Sequence, residues 1–288
     1  MKIMLIFLIT ILFRSTFTFC QTNGKEFPVL KGSYLGQNPT GNEPELFAPG
    51  IISREGYFEH SAAVFSPDGN EVYWSGEPDE TRHFEIYFMK IVNEQWTEPK
   101  IAFSCESNNF NNPVFSSDGN KLFFNKDGDI WFVERKGKEW SSAVKLPSII
   151  NTSASERMCS ITNDGSIYFT RYPEFEVYVS KKVNDNYLEP IKLDRSINFD
   201  NYRKMSVYVA PDESYLILEA SKDAATCELF VSHRMKNGKW SECQKLPIKW
   251  GRFPTVSPDG KYLFFMTREG IYWVSAKIIE KLKPKELK

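Results

Sequence analysis

Val64-Phe65-Ser66-Pro67-Asp68-Gly69 is the fullest copy of a phrase that occurs five times in this chain. The other four copies share its apolar second residue and its aspartate, and they are Val114-Phe115-Ser116-Ser117-Asp118-Gly119, Ser160-Ile161-Thr162-Asn163-Asp164-Gly165, Tyr208-Val209-Ala210-Pro211-Asp212-Glu213 and Thr255-Val256-Ser257-Pro258-Asp259-Gly260. The pattern predicts a strand that enters a tight turn, because proline presets φ, aspartate bonds the local backbone and glycine accepts positive φ. Glu213 replaces that glycine, so the fourth turn must hold a non-glycine residue at positive φ or adopt another geometry.

The spacing of the repeat predicts the architecture. The turn aspartates lie 50, 46, 48 and 47 residues apart, and a period of this size in strand-rich sequence is typical of a β-propeller. Counting residues 40–280 at about 48 per unit gives five blades, with six as the alternative. We therefore expect an all-β fold, a single β-propeller of four-stranded blades.

Each unit carries three further strand signals. A wholly apolar run such as Val72-Tyr73-Trp74 follows the turn, and its lack of alternation predicts a strand covered on both faces. An apolar run led by an acid comes next, and a fourth strand begins with an aromatic residue. Because the leading acids recur at one structural position, we expect them to have a scaffold role such as capping backbone donors. These acids are Glu85, Asp129, Glu176 and Glu228.

The two ends of the propeller region have complementary deficits. The fifth unit has no aromatic-led fourth strand, whereas residues 44–52 have the spacing of an outer strand but no blade of their own. Aligning Pro44 with Pro190 brings Ile51 onto Ile197. We expect this early segment to complete the last blade, because pairing the two ends closes the ring and hides its edges.

The order of these motifs resembles a known repeat. A Ser-Pro-Asp-Gly turn, then Leu122-Phe123-Phe124, Asp129-Ile130-Trp131 and Trp140 are similar to the WD40-like PD40 repeat of TolB-like propellers, which are exported bacterial proteins. The lead-in through Phe47-Ala48-Pro49-Gly50-Ile51 resembles that of other exported PD40 proteins. The resemblance implies a propeller over nearly the whole mature chain but no particular chemistry, since propellers host binding, scaffolding and catalysis. TolB itself has six blades and an additional N-terminal domain, neither visible in this sequence, so its partners are not carried over.

The N-terminus is predicted to be a secretory signal over residues 1–20. Lys2 precedes an apolar run at 3–13, and the small residues Thr18 and Cys20 suit a cleavage site before Gln21. The run is too short to span a bilayer. A lipid anchor on Cys20 is the alternative. The mature chain is expected in the periplasm or outside the cell, with residues 21–39 as a lead-in, the propeller at 40–280 and a basic tail at 281–288.

Composition narrows the class of partner. With 41% apolar and 15% aromatic residues the chain is globular, and its net charge of −1 comes from interleaved acids and bases. It therefore offers no basic field for nucleic acid. We expect a monomer with no transmembrane span in the mature chain. Four cysteines permit disulfides after export, but their spacing favours buried free thiols at Cys105, Cys159, Cys227 and Cys243.

The candidate site is the rim of the central channel, where loops enter the first strand of each blade. Positions seven to nine residues before each turn aspartate form a polar rim of mixed charge. We expect ligand contacts from His60, Asn111, Glu156, Arg157, Arg203 and Arg252. Too few histidines fall on the rim for a metal site, so neither a metal nor a cofactor is predicted.

Two classes of function fit such a rim. The first is an exported, non-catalytic propeller that binds a protein, peptide or glycan at the channel mouth, as part of a cell-envelope assembly. The second is a glycan-active hydrolase or lyase in which Glu59 and Glu156 are the paired carboxylates. Because both classes use a solvated rim, the combined change Glu156→Ala and Arg252→Ala is expected to abolish ligand binding with little change in melting temperature.

Overall fold

The computed structural model describes residues 27–77, 83–103, 110–223 and 225–288, and these residues form five antiparallel blades. Five blades of four strands is the predicted architecture, and the six-bladed alternative is wrong. The predicted signal segment with Cys20 lies outside the described residues, as does Cys105. Among the described residues, none of the helices has the length and apolar character needed to cross a membrane.

The first strand of each blade lies at the channel, and the later strands follow outward in order. Blade 1 consists of Phe58–Glu59 with Val64–Phe65, then Glu71–Glu77, Glu85–Val92, and Gln95–Trp96 with Lys100–Ile101. Blade 2 consists of Asn111–Phe115, Lys121–Lys126, Asp129–Lys136, and Glu139–Trp140 with Val144–Lys145. Blade 3 consists of Ser155–Ile161, Ile167–Tyr172, Glu176–Ser180 and Ile191–Lys192, with a small hairpin of Lys182–Val183 and Asn186–Tyr187.

The last two blades and the helices complete the described chain. Blade 4 consists of Arg203–Val209, Tyr215–Ser221, Glu228–His233 and Gln244–Lys245. Blade 5 consists of Arg252–Val256, Tyr262–Thr267, Gly270–Ser275 and the early strand Glu45–Leu46. A 3₁₀ helix at Ser33–Gly36 precedes the propeller, and an α-helix at Lys277–Lys281 and a 3₁₀ helix at Lys285–Leu287 follow it.

The second strand of each blade forms the core. Leu216, Ile217 and Leu218 are fully buried, and the equivalent apolar runs of the other blades are buried in the same way. Their two faces pack against different neighbours, since Leu216 and Leu218 lie in one apolar cluster and Ile217 in another. The unbroken apolar runs therefore reflect strands sandwiched between adjacent blades.

The repeated turn is held by its aspartate. Asp68 accepts hydrogen bonds from Ser66 Oγ at 2.6 Å and from the Asn70 N–H at 3.1 Å, and the aspartates of the other turns also accept from the local chain. Glu213 takes φ of 58° at the position of the missing glycine. Its carboxylate accepts hydrogen bonds from the Tyr168 hydroxyl and from Lys181 Nζ, so neighbouring groups support the strained residue.

The acids that lead the third strands form ion pairs with the fourth strands. Asp129 contacts Lys145 at 2.7 Å, and the same pairing joins Glu176 to Lys192 and Glu228 to Lys245. Ile101 occupies the place of these lysines in blade 1, where burial raises the pKa of Glu85, which has no ion-pair partner among the described residues. The predicted scaffold role is thus supported, although lysine side chains rather than backbone donors are the partners.

The N-terminal strand closes the ring as predicted. Glu45 and Leu46 pair with the third strand of blade 5, and the Phe47 N–H donates to the Ile271 carbonyl at 2.8 Å. The alignment of Ile51 with Ile197 is wrong by one residue, because the chain turns on Ala48 at φ of 46° and brings Ile52 to the fully buried position that Ile197 has in blade 3. Ile51 is only partly buried.

Polar residues at the ends of the second strands join adjacent blades. Ser75 accepts from the Asn112 N–H, Asn125 accepts from the Met158 N–H, and Glu219 accepts from the Phe253 N–H. The three donors have φ of 55°, 54° and 50°, and each lies where the register of a first strand shifts. These bulges re-aim the side chains at the top of the channel.

Candidate functional site

The channel mouth combines two kinds of loop. Because the second strands run away from the repeated turns, the loops that follow them lie at the same end as the loops that enter the first strands. A cavity of about 840 Å³ opens there over blades 1, 2 and 3. Its lining is dominated by amides, hydroxyls and charged groups around three aromatic or imidazole rings, and it consists of His60, Phe84, Asn111, Asn125, Lys126, Asp127, Gly128, Asp129, Lys145, Thr152, Ser153, Ala154, Ser155, Arg157, Met158, Tyr172 and Pro173.

His60, Asn111 and Arg157 are the predicted site residues that line this cavity. The His60 ring lies 4.1 Å from the ring of Phe84 and 5.1 Å from that of Phe253. Its Nδ1 is buried without a hydrogen-bond partner in the described part of the chain. Burial, with the guanidinium groups of Arg252 and Arg157 nearby, lowers the pKa of His60 to about 4. The imidazole is therefore neutral at pH 7.

Two arginines flank a pair of aromatic rings beside the cavity. The Arg157 guanidinium lies 4.8 Å from the ring centroid of Tyr172, and that of Arg203 lies 4.9 Å from Phe175. The Tyr172 and Phe175 rings are 4.3 Å apart, so the two guanidinium groups belong to one cluster. Arg157 donates from Nε to Ser155 Oγ at 2.8 Å. Among residues 27–77, 83–103, 110–223 and 225–288, its terminal nitrogens and the whole Arg203 head have no hydrogen-bond or ion-pair partner.

Arg252 is held differently from these two. Its Nε donates to Oε1 of Glu219 at 2.8 Å, and its guanidinium lies 4.5 Å from the ring centroid of Phe253. Glu219 is fully buried and also accepts from Ser206 Oγ at 2.8 Å. Its charge offsets that of Arg252. Arg252, which the sequence predicts as a ligand contact, thus lies in an ion pair with a buried carboxylate, and its Nε is engaged there.

The two predicted carboxylates do not line the cavity. Glu156 is fully buried, and its oxygens accept from Arg171 Nε at 3.0 Å, Thr152 Oγ1 at 2.6 Å and the Thr152 N–H at 3.0 Å. Glu59 is 3% exposed, and the Arg54 N–H lies 3.4 Å from its carboxylate. Burial raises the pKa of Glu59 to about 7. The alignment placed Glu156 at the rim correctly by position, but its side chain turns into the blade.

Sequence reasoning missed three groups at the mouth. Lys126 lines the cavity with its Nζ 4.9 Å from the ring centroid of Trp131, and Tyr172 lines it from the end of a second strand. Glu219 ends the apolar run of blade 4, where Ser75 and Asn125 end those of blades 1 and 2. A polar residue recurring at the end of a buried run was the available signal for the contacts between blades.

The charged side chains that line the first cavity carry a net positive charge once the ion pair is left out. Lys145 and Asp129 neutralise each other at 2.7 Å, and the carboxylates of Glu156 and Glu219 are bound to arginines. Lys126, Arg157 and Arg203 have no acidic partner in the part of the chain that the structure describes, and Asp127 is the one acid of the cavity lining without an ion-pair partner there. No group of three or more His, Cys, Asp or Glu side chains suited to a metal ion occurs among the described residues.

The three described cysteines carry no chemistry at the mouth. Cys159, Cys227 and Cys243 are free thiols, as predicted. Burial raises the pKa of Cys159 and of Cys243 to about 12, so both stay protonated at neutral pH.

Comparison with known proteins supports the fold. The chain is similar to a chain of the nidogen/laminin complex structure at 13% identity and a TM-score of 0.53, over 84% of this chain and 88% of that one. It also matches TolB from Acinetobacter baumannii at 16% identity and a TM-score of 0.49, over 76% of this chain, and hydrazine synthase from Kuenenia stuttgartiensis at 16% and 0.44, over 70%. The chain spans about half the length of the last two, 52% and 54%.

These similarities lie at the level of the propeller fold, and TolB-like propellers are among the structural neighbours. No family model matches the chain, and no curated protein matches it. The PD40 assignment therefore stays a resemblance of the repeat.

Proposed function

We propose that this protein is an exported, non-catalytic β-propeller whose channel mouth binds an acidic saccharide. The single observation that carries the proposal is the pair of guanidinium groups of Arg157 and Arg203, which have no acidic partner among the described residues and lie over the adjoining rings of Tyr172 and Phe175. Of the three ligand classes that the sequence leaves open, this arrangement favours the glycan.

The charge of the ligand follows from the arginines. A guanidinium stacked on an aromatic ring keeps the N–H groups of its edge available, and that edge matches a carboxylate in a bidentate geometry. Arg157 donates to Ser155 through Nε only, so its terminal nitrogens can bind a ligand carboxylate. Lys126, which also lines the cavity, adds a third positive charge. An anionic ligand is favoured over the amphoteric one that a rim of mixed charge would suit.

The saccharide character follows from the rest of the lining. Asn111 accepts from the Asn112 amide at 2.6 Å and keeps its own N–H donors for a ligand, and Ser153 and Thr152 add further polar groups. Many donors and acceptors around a few rings suit a hydroxyl-rich ring better than an apolar ligand. The neutral His60 ring contributes a donor or acceptor at Nε2 without adding charge.

The positions of the carboxyl groups favour binding over hydrolysis. Glycoside hydrolysis requires two carboxyls on either side of the scissile bond. Glu156 is engaged by Arg171 and Thr152, and Glu59 is buried in its own loop. The hydrolase alternative therefore lacks its predicted pair in this cavity, and of the two aspartates that line it Asp129 is bound to Lys145.

Export to the periplasm or the cell exterior, and a role at the cell envelope as a monomer, belong to the same proposal. The apolar run at 3–13 and the small residues before Gln21 support removal of residues 1–20. Mass spectrometry of secreted protein tests the export. A mature chain beginning at Gln21 is expected, a chain beginning at a lipid-modified Cys20 would support the anchored form, and an uncleaved chain would contradict both.

The ligand class is tested with a neutral isostere. The mature protein is titrated with trigalacturonate, with its fully methyl-esterified form and with a glutamate tripeptide. We expect binding of the free acid and at least a tenfold loss on esterification, since one charge-assisted hydrogen bond contributes about 1.5–3 kcal/mol. Equal affinity for acid and ester would contradict the proposal. Tighter binding of the glutamate peptide would replace the saccharide with an acidic peptide.

A further inference from the structure

A second cavity opens on the same face, over blades 4 and 5. It has a volume of about 570 Å³. Loop residues, strand residues and the two residues before the closing strand line it, namely Glu43, Pro44, Ala225, Pro247, Ile248, Lys249, Trp250, Phe265, Thr267, Arg268, Glu269 and Tyr272. Thr267, Arg268 and Glu269 form the loop after a second strand, and Lys249 and Trp250 precede a first strand. Both loops lie at the mouth by the topology of the blade. None of the predicted site residues lines this cavity.

Its centre repeats the arrangement of the first site. The Arg268 guanidinium lies 5.5 Å from the ring centroid of Trp250. Arg268 is exposed and has no ion-pair or hydrogen-bond partner among the residues that the structure describes. The indole Nε1 of Trp250 is a buried donor that also lacks a partner there. A cationic edge next to a ring and an unused N–H are the groups that a carboxylated sugar needs.

One buried apolar cluster borders both cavities. Met158 lines the first cavity, and it packs with Phe253 and Met266 in one buried cluster. Trp250 packs against that same cluster and lines the second cavity. The two sites are therefore adjacent around the channel axis rather than on unrelated surfaces.

The acids of the second cavity leave it open to an anion at Arg268. The Glu269 carboxylate accepts from the Tyr272 hydroxyl at 2.6 Å, and Glu43, just before the closing strand, also lines the cavity. Lys249 and Arg268 balance these two charges. Arg268, which has no partner among the described residues, therefore stays available to a carboxylate of the ligand.

We propose that the Trp250 and Arg268 cavity is a second subsite for the same ligand, so that the protein recognises an acidic oligosaccharide long enough to reach both cavities. This inference rests on the proposed function, because the first cavity supplies the chemistry that the second repeats. Short oligomers occupy one cavity, whereas longer ones extend across the channel mouth and occupy both.

The test is the dependence of affinity on chain length. Wild-type protein and Arg268→Gln are titrated with galacturonate oligomers of two to eight sugars, with Arg234→Gln as a matched control. The Arg234 guanidinium lies 4.7 Å from the ring centroid of Trp240 in the same manner. Its backbone N–H donates to the Ser214 carbonyl, which places Arg234 at the opposite end of the propeller. Thermal melts establish that each variant is folded, and Trp250→Ala serves as a second variant.

We expect wild-type affinity to rise with length and then level off. Arg268→Gln should bind the dimer as tightly as wild type and the longest oligomers about fivefold more weakly, which corresponds to about 1 kcal/mol for one exposed charge pair. Arg234→Gln should follow wild type throughout. Equal weakening of short and long oligomers, no weakening, or a wild-type affinity independent of length would each overturn the second subsite. Wild-type protein that binds no oligomer would contradict the proposed function itself.

Discussion

The ε nitrogen of Arg252 donates a hydrogen bond of 2.8 Å to Oε1 of Glu219, and this contact crosses from blade 5 to blade 4. The other carboxylate oxygen of Glu219 accepts from the Phe253 N–H at 3.1 Å, so one buried acid holds both the arginine and the bulge that follows it. The mouth is thus shaped by contacts between blades, which fix where the free cations around it stand.

Replacing Glu219 with alanine should destabilise the fold strongly. The change leaves the Arg252 charge and two further donors without their acceptor, and removal of one partner from a buried ion pair costs about 3–5 kcal/mol. The measurement is the free energy of unfolding in urea. Ser206→Ala, which removes one of the same contacts, is the control and should cost about 1 kcal/mol. A loss of similar size in both variants would contradict the central role of Glu219.

The same geometry corrects an expectation from the sequence. Because Glu156 and Arg252 both align with the rim, the sequence predicts that replacing both abolishes ligand binding with little change in melting temperature. Glu156 is instead bound to Arg171 and Thr152, and Arg252 is bound to Glu219. Removing both side chains should lower the melting temperature markedly, so a loss of binding in that variant would not identify the site.

Glu59 should make stability depend on pH. Its pKa is raised by burial from an ordinary value of 4.5 to about 7 in the folded protein. A raised folded pKa contributes stability that is fully present below about pH 4.5 and is lost as the pH rises through about 7. The stability of wild type relative to Glu59→Gln should therefore fall over this window, by on the order of 3 kcal/mol, and stay constant at higher pH. Urea melts of both proteins between pH 4 and 9 check this, and parallel curves would show that Glu59 is ionised in the fold.

Deleting residues 40–52 should unfold or severely destabilise the propeller. The deletion removes the outer strand of blade 5 and the fully buried side chains of Phe47 and Ile52, and burial of each such side chain contributes about 1.5–3 kcal/mol. The loss is large against a typical total of about 5–15 kcal/mol. Deleting residues 283–288 is the control and should change the melting temperature little. Equal, small shifts for the two truncations would mean that the early strand does not close the ring.

The parts of the fold that follow from a repeat could be predicted from the sequence. The turn at Asp68, the buried run at Val72 and the closing strand at Leu46 each depend on local pattern, which recurs in every blade. The identity of the buried anchor did not follow, because a one-residue difference in the turn at Ala48 moves Ile52 into the place expected for Ile51. Repeats predict positions, whereas irregular loops decide which side chain fills them.

The candidate site was predictable in location and not in electrostatics. Alignment brings His60, Asn111 and Arg157 to one cavity, as expected. It could not show that the Glu156 carboxylate is bound by Arg171 and Thr152, because those contacts depend on the adjacent strand and the entering loop rather than on the repeat. The sequence predicts a rim of mixed charge. In the structure the buried Glu156 and Glu219 are bound to arginines, which leaves an excess of positive charge at the first cavity.

The most direct test of the central claim is isothermal titration of trigalacturonate into Arg157→Gln, Arg203→Gln protein. Both arginines lack acidic partners in the described chain, so the double variant should melt close to wild type while binding at least tenfold more weakly, since it loses charge-assisted hydrogen bonds of about 1.5–3 kcal/mol each. Arg234→Gln should bind as wild type does. Affinity undiminished in the double variant would contradict binding of an acidic saccharide at the Tyr172 and Phe175 cluster.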